Sequence, residues 1–136
     1  MAECQTIESQ GAPHGRLTIR TIAMPADTNP HGHIFGGWLM SQMDLAGGMH
    51  AFQRANGRVA TVAVEAMEFH APVFVGDELS CYTEIVRTGR TSVSILVEAW
   101  VRRRCIDQNQ IKVTSATFTY VAVHAEGTGK RELPPE

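Results

Sequence analysis

One stretch constrains this chain more than any other: GGWLMSQMDLAGGMHAFQRA, residues 36–55, puts apolar side chains on nearly every side of a helix. Trp38, Leu39, Met40, Met43, Leu45, Met49, Ala51 and Phe52 leave no broad polar face, and a helix apolar all round is a buried one. Ala46, Gly47 and Gly48 let neighbouring backbone come close, the glycines at a cost in helix propensity that packing must offset. The segment therefore predicts a long helix enclosed by a sheet.

Strand signals surround it. Arg16 to Ile22 alternates apolar and polar residues and ends before Pro25, and the turn formers ADTNPHG over 26–32 lead into the helix. After Asn56-Gly57 come four β-like runs: Val59 to His70, Glu78 to Val86, Thr91 to Arg103 and Ile111 to His124. In the third, Val93, Ile95, Val97, Ala99 and Val101 alternate with Ser92, Ser94, Leu96, Glu98 and Trp100, the pattern of a strand with one buried face. Val75-Gly76-Asp77, Arg87-Thr88-Gly89-Arg90 and Asp107-Gln108-Asn109 fit hairpin connections. The order β-α-β-β-β-β predicts an α+β domain, a five-stranded antiparallel sheet packed on one helix. Gly- and Pro-containing ends mark residues 1–15 and 126–136 as loose tails, with the domain over 16–125.

Several function classes fall away. No apolar run approaches the roughly 20 residues of a membrane helix, and MAECQTIESQ lacks the basic and apolar regions of a secretory signal. Cys4, Cys81 and Cys105 are odd in number and widely spaced, which fits reduced thiols in the cytoplasm better than a disulfide framework. A formal charge of −2 lacks the positive field that nucleic acid requires, so an anionic ligand must be met locally.

Asp44 is the chemical anomaly. Its i±3 and i±4 neighbours are Met40, Ser41, Gly47 and Gly48, so no cation on its own helix pairs with it. An unpaired desolvated carboxylate costs several kcal/mol. Either Asp44 points to solvent, or it bonds a distant backbone or Arg group, or it does chemistry. Upstream, Gly36-Gly37 allows backbone N–H groups at a helix N-terminus to face a developing oxyanion, although a Gly-Gly pair is more often simple close packing.

Taken together, Asn29-x-x-Gly32-x-x-Phe35-Gly36-Gly37-x-Leu39-x-x-x-x-Asp44 resembles the signature of hotdog-fold acyl-CoA thioesterases, particularly the bacterial YciA-like group. The likeness extends through Gly57-Arg58-Val59, Val62-Ala63-Val64, Met67, Phe69, Pro72-Val73, Val75-Gly76-Asp77 and Thr88-Gly89-Arg90-Thr91-Ser92, roughly residues 17–122. The resemblance implies a curved antiparallel sheet wrapping a central helix, subunits paired through their sheets, and active sites at their interface. It implies a homodimer, often assembled as three dimers into a hexamer. Asp44 becomes the catalytic carboxylate, Asn29 its neighbour from the partner subunit, and the Gly37 N–H the group that polarises the thioester carbonyl. Arg90, Thr91 and Ser92 would lie along the CoA. CoA is then part of substrate and product, and no separate cofactor is required.

Other residues compete. His33 stands where relatives often carry an acid or an amide. His31, His33 and His70 lack the spacing of a zinc site, so no metal is expected. Glu65 and Glu68 are rival carboxylates, yet strand glutamates more often face solvent or an ion-pair partner. Arg87, Arg90 and Arg102 to Arg104 are the cations available for CoA phosphates. A non-catalytic acyl-CoA-binding protein is the alternative, but a pure binder has no need of Asp44. A dehydratase would need a catalytic His, and His50 is out of register with the motif.

Overall fold

Helix α1 runs from Gly36 to Ala55, the span its sequence predicts. It ends where Asn56 adopts a left-handed conformation (φ 51°) and the Gly57 N–H returns to the Phe52 carbonyl at 3.2 Å. The computed structural model describes residues 11–103 and 109–136. Cys4, Cys105, Arg104 and the turn residues Asp107 and Gln108 lie outside these.

Five strands make one sheet: β1 (Arg16–Ile22), β2 (Val59–Phe69), β3 (Glu78–Thr88), β4 (Ser92–Arg102) and β5 (Ile111–Ala122). Their order is β1-β3-β4-β5-β2, with every pair antiparallel. The predicted α+β architecture is therefore the one observed. β3, β4 and β5 form a meander at the centre, while β2 crosses to the far edge and pairs with β5. A bulge between Glu65 and Glu68 bends this edge strand, with Ala66 at φ 49°.

The core lies between helix and sheet. Leu39, Met43, Ala46 and Ala51 of α1 pack with Val93, Ile95, Val97, Ala99 and Val101 of β4 and with Phe118 and Tyr120 of β5. Two expectations need correction. The helix is not buried all round: Leu45, Met49 and Phe52 are 60%, 53% and 52% exposed, because one sheet covers only one side of a cylinder. And β4 is buried on both faces, since Ser94, Glu98 and Trp100 on its outer side are covered too. Glu98 tolerates this because four donors meet it. Its Oε1 takes the His14 N–H and the Trp100 Nε1–H, both at 3.0 Å, and its Oε2 lies 3.0 Å from His14 Nδ1 and 3.5 Å from Lys112 Nζ. Burial pushes the Glu98 carboxyl up, but these donors outweigh it and hold it below its ordinary value.

Residues 126–136, marked by composition as a tail, lie along the fold. Leu133 N–H donates to the Arg90 carbonyl at 2.9 Å, and the Pro134 carbonyl accepts from Arg54 at 2.7 Å. Arg131 donates to the carbonyls of Ala55 (2.9 Å), Val123 (2.8 Å) and Arg58 (3.4 Å), closing the C-terminus of α1.

Candidate active site

Thr61 of β2 and Tyr120 of β5 are register partners, so their side chains leave the sheet side by side. Both reach α1 at Asp44. Its Oδ1 accepts from Thr61 Oγ1 at 2.8 Å and from the Tyr120 hydroxyl at 3.1 Å, and the same hydroxyl lies 3.0 Å from the Asp44 main-chain oxygen. Asp44 is half-buried, and its partners are hydroxyls rather than the distant Arg group considered from sequence. Among the described residues, no bond engages Asp44 Oδ2. The Tyr120 phenol is pushed well above its usual range, first by burial and then by the Asp44 charge and hydrogen bond, so it stays a donor.

Asp44 lines an open cleft of about 410 Å³ whose other walls are Leu45, Gly48, Met49, Phe52, Val59, Thr61 and Tyr120. The combination is a carboxylate oxygen at the edge of an apolar cleft, which suits a ligand with a reactive polar group and a hydrocarbon part.

Asn29 is elsewhere in the chain. It lines a second cleft of about 240 Å³ with His33, Phe35, Gly36, Phe69 and Val73 among its walls. Its Oδ1 is committed, accepting from the His31 and His33 backbone N–H groups at 2.9 and 3.1 Å. That assignment leaves the Nδ2 hydrogens available as donors. Gly37 is exposed in the first turn of α1, where backbone N–H groups lack an intrahelical acceptor, and Phe35 provides no side-chain cap. Asp44 is seven positions after Gly37, about 10 Å along the axis at 1.5 Å per residue. A single chain thus keeps Asp44 apart from both Asn29 and Gly37.

The Arg90-Thr91-Ser92 turn lies on the Tyr120 side of the sheet: Val93 pairs with Tyr120, Ser92 with Val121, and the Ala122 N–H bonds the Thr91 carbonyl at 2.8 Å. Arg90 is 81% exposed, 3.7 Å from Glu132. Arg87 lies 4.0 Å from Glu65, leaving that rival carboxylate an exposed ion-pair partner; Glu68 is exposed as well. Arg102 and Arg103 sit at the other end of β4, on Glu78 (3.5 Å) and Asp77 (3.8 Å), roughly 30 Å of strand from Arg90. They cannot share one phosphate group with it.

His31, His33 and His70 are exposed, and His33 sets its ring edge-on to Phe74 at 5.6 Å. Among the described residues no group of three or more His, Cys, Asp or Glu is arranged to hold a metal. His50 bonds Thr83 on β3 at 2.9 Å, roughly a third of a turn round α1 from Asp44. No helix among the described residues is long and apolar enough to cross a membrane. Sequence reasoning missed Thr61 and Tyr120; the alternation of Thr117, Phe118, Thr119 and Tyr120 marks Tyr120 as inward-facing, but nothing local names what it meets.

The sequence pattern of the thioesterase superfamily matches residues 31–104. The chain is 52% identical over 130 residues to the acyl-CoA thioester hydrolase YciA of Escherichia coli (strain K12), covering 94% of this chain and 98% of that protein. Among solved structures it is similar to HI0827, a hexameric broad specificity acyl-coenzyme A thioesterase, at TM-score 0.88 and 46% identity, covering 97% of this chain and 90% of that one. It is also similar to Cj0915, a hexameric hotdog fold thioesterase of Campylobacter jejuni, at TM-score 0.82 and 43% identity, covering 88% and 91%. A five-stranded antiparallel sheet packed on one helix, a carboxylate on that helix, and a family match over more than half its length agree: the chain belongs to the thioesterase superfamily and has the hotdog fold.

Proposed function

We propose that this protein hydrolyses acyl-CoA thioesters to free CoA and a carboxylic acid, with Asp44 acting on the thioester carbonyl. The observation that carries this reading is the state of its carboxylate: one oxygen is held by two hydroxyls and the other, beside an apolar cleft, is unengaged among the described residues. The YciA relative, at 52% identity, is an acyl-CoA thioester hydrolase, which points to the same substrate class.

Oδ2 can serve in two ways. As a base it takes a proton from water, which adds to the carbonyl; as a nucleophile it forms an acyl anhydride that water then opens. In either route the carbonyl oxygen becomes negative and the C–S bond breaks. A thiol with a pKa near ~8.5 departs as thiolate, so a strong general acid is dispensable. The Gly37 N–H, at the positive end of α1, is suited to the developing oxyanion.

Because Gly37 and Asp44 of one helix stand about 10 Å apart, one carbonyl cannot touch both. We assign Gly37 and Asn29 at each site to a second copy of the chain. The unpaired edge of β2 and the exposed Leu45, Met49 and Phe52 give that copy a surface to cover. Since HI0827 and Cj0915 are hexameric, three such dimers are the assembly we favour. The catalytic unit is assigned to residues 16–125, with CoA entering as part of the substrate, no separate cofactor, and the cytoplasm as its compartment. Along the CoA we place Arg90, Thr91 and Ser92, at the Tyr120 end of β4.

The test is release of free thiol, followed with a thiol-reactive dye, from acyl-CoAs running from acetyl to palmitoyl. Asp44→Asn should lower turnover by about 10²–10⁴-fold with the fold intact. Near wild-type release by this variant overturns the reading, and an active carboxylate separates it from a binding protein that hydrolyses nothing.

A further inference from the structure

We infer that Tyr120 is a positioning residue for Asp44, that Gly47 is the position that admits it, and that together they select Oδ2 as the reacting oxygen. The inference rests on the hydrolase reading above and concerns how its carboxylate is aimed.

Tyr120 is 1% exposed, and its ring lies nearly parallel to that of Phe118, with centroids 6.4 Å apart and planes at 15°. The phenol is therefore fixed in place, and its oxygen arrives at α1 from a strand rather than from the helix. There its one hydrogen faces two acceptors of a single residue, the main-chain oxygen and Oδ1 of Asp44, at 3.0 and 3.1 Å. A donor that bridges the main-chain oxygen and the carboxylate of one residue restricts the torsions between them more than a contact with the carboxylate alone. Thr61 adds a second donor to the same Oδ1. With Oδ1 committed twice, Oδ2 is the oxygen left for water or for the carbonyl carbon.

Gly47, one turn beyond Asp44 on the same side of α1, makes the approach possible. A Cβ there would lie 2.4 Å from the Tyr120 hydroxyl oxygen and 3.1 Å from both Tyr120 Cζ and Val97 Cγ2. Gly48 differs: a Cβ there would meet Tyr120 Cε1 at an ordinary 3.6 Å. The glycine needed for this contact is thus residue 47, although a mid-helix glycine costs roughly 1 kcal/mol relative to alanine.

Tyr120→Phe removes the oxygen and keeps the ring. We expect kcat to fall about 10- to 100-fold with KM changed less than about twofold, rates being normalised to CoA-binding stoichiometry so that only folded protein counts. A purely packing role would lower the folded fraction or raise KM and leave kcat per folded site in place. Gly47→Ala should reproduce the kcat loss by displacing the phenol, and should cost less when introduced into Tyr120→Phe, where the closest clash is gone. If Asp44→Asn is inactive while Tyr120→Phe keeps wild-type kcat, the positioning role is overturned and the hydrolase reading stands. If Asp44→Asn is itself active, both fall.

Discussion

Asn29 and Asp44 line separate clefts of the same chain, the first with Gly36 and Phe69, the second with Thr61 and Tyr120. A site that uses both must draw them from two copies. Chains carrying Asn29→Ala and chains carrying Asp44→Asn should each be strongly impaired alone. Refolded together in equal amounts, half of the dimers are mixed and each mixed dimer has one intact site, so about a quarter of wild-type turnover should return. A mixture no more active than its components would show that the residues do not share a site across subunits.

Arg90 stands on the hairpin between β3 and β4, about 10 Å of strand from the Tyr120 row, a distance suited to a long thiol carrier rather than to the reacting carbonyl. Arg90→Glu should raise KM for CoA esters by about tenfold or more while barely changing KM for pantetheine thioesters, which lack the nucleotide phosphates. Equal effects on both substrates would remove Arg90 from phosphate contact.

Much of this was legible in the sequence, and the reasons are physical. The helix bounds at Gly36 and Ala55 and the strand bounds at Arg16, Ile22, Val59, Glu78 and Ile111 are marked by periodicity and by turn residues, which act locally. Asp44 was legible because its own helix offers it no cation. What holds it was not: Tyr120 is 76 positions away, and Thr61 stands beside it only because β2 crosses the sheet to pair with β5. The two-sided burial of β4 has no local signature for a similar reason. Glu98 looks like a solvent marker until His14 and Lys112, both distant in sequence, close over it.

The Glu98 cluster carries a pH signature. Its donors hold the folded carboxyl below the ordinary value of 4.5, so the stabilisation is complete above pH 4.5 and disappears as pH falls through the lower folded value. Glu98→Gln should be less stable than wild type by about 1–3 kcal/mol at pH 7. In urea titrations the gap should narrow steadily below pH 4.5. A gap constant from pH 7 to pH 3 would mean that the charge of Glu98 contributes nothing.

Arg131→Ala opens the carbonyls of Ala55, Val123 and Arg58 together. Thermal unfolding should show a loss of about 1–3 kcal/mol, several degrees in Tm, with turnover per folded molecule retained. An unchanged Tm would show that water replaces the guanidinium without loss.

Strands β2 and β3 follow one another in the chain yet are not neighbours in the sheet: β2 is an edge strand, and β3 lies between β1 and β4. β2 therefore cannot zip onto its successor as a local hairpin; it must wait for β5, a closure across some fifty intervening residues that is slow compared with helix or hairpin formation. Because Thr61 and Tyr120 face each other across that seam, the hydroxyl pair cannot form before it shuts. During refolding, catalytic competence should be among the last properties to appear, trailing the helical signal.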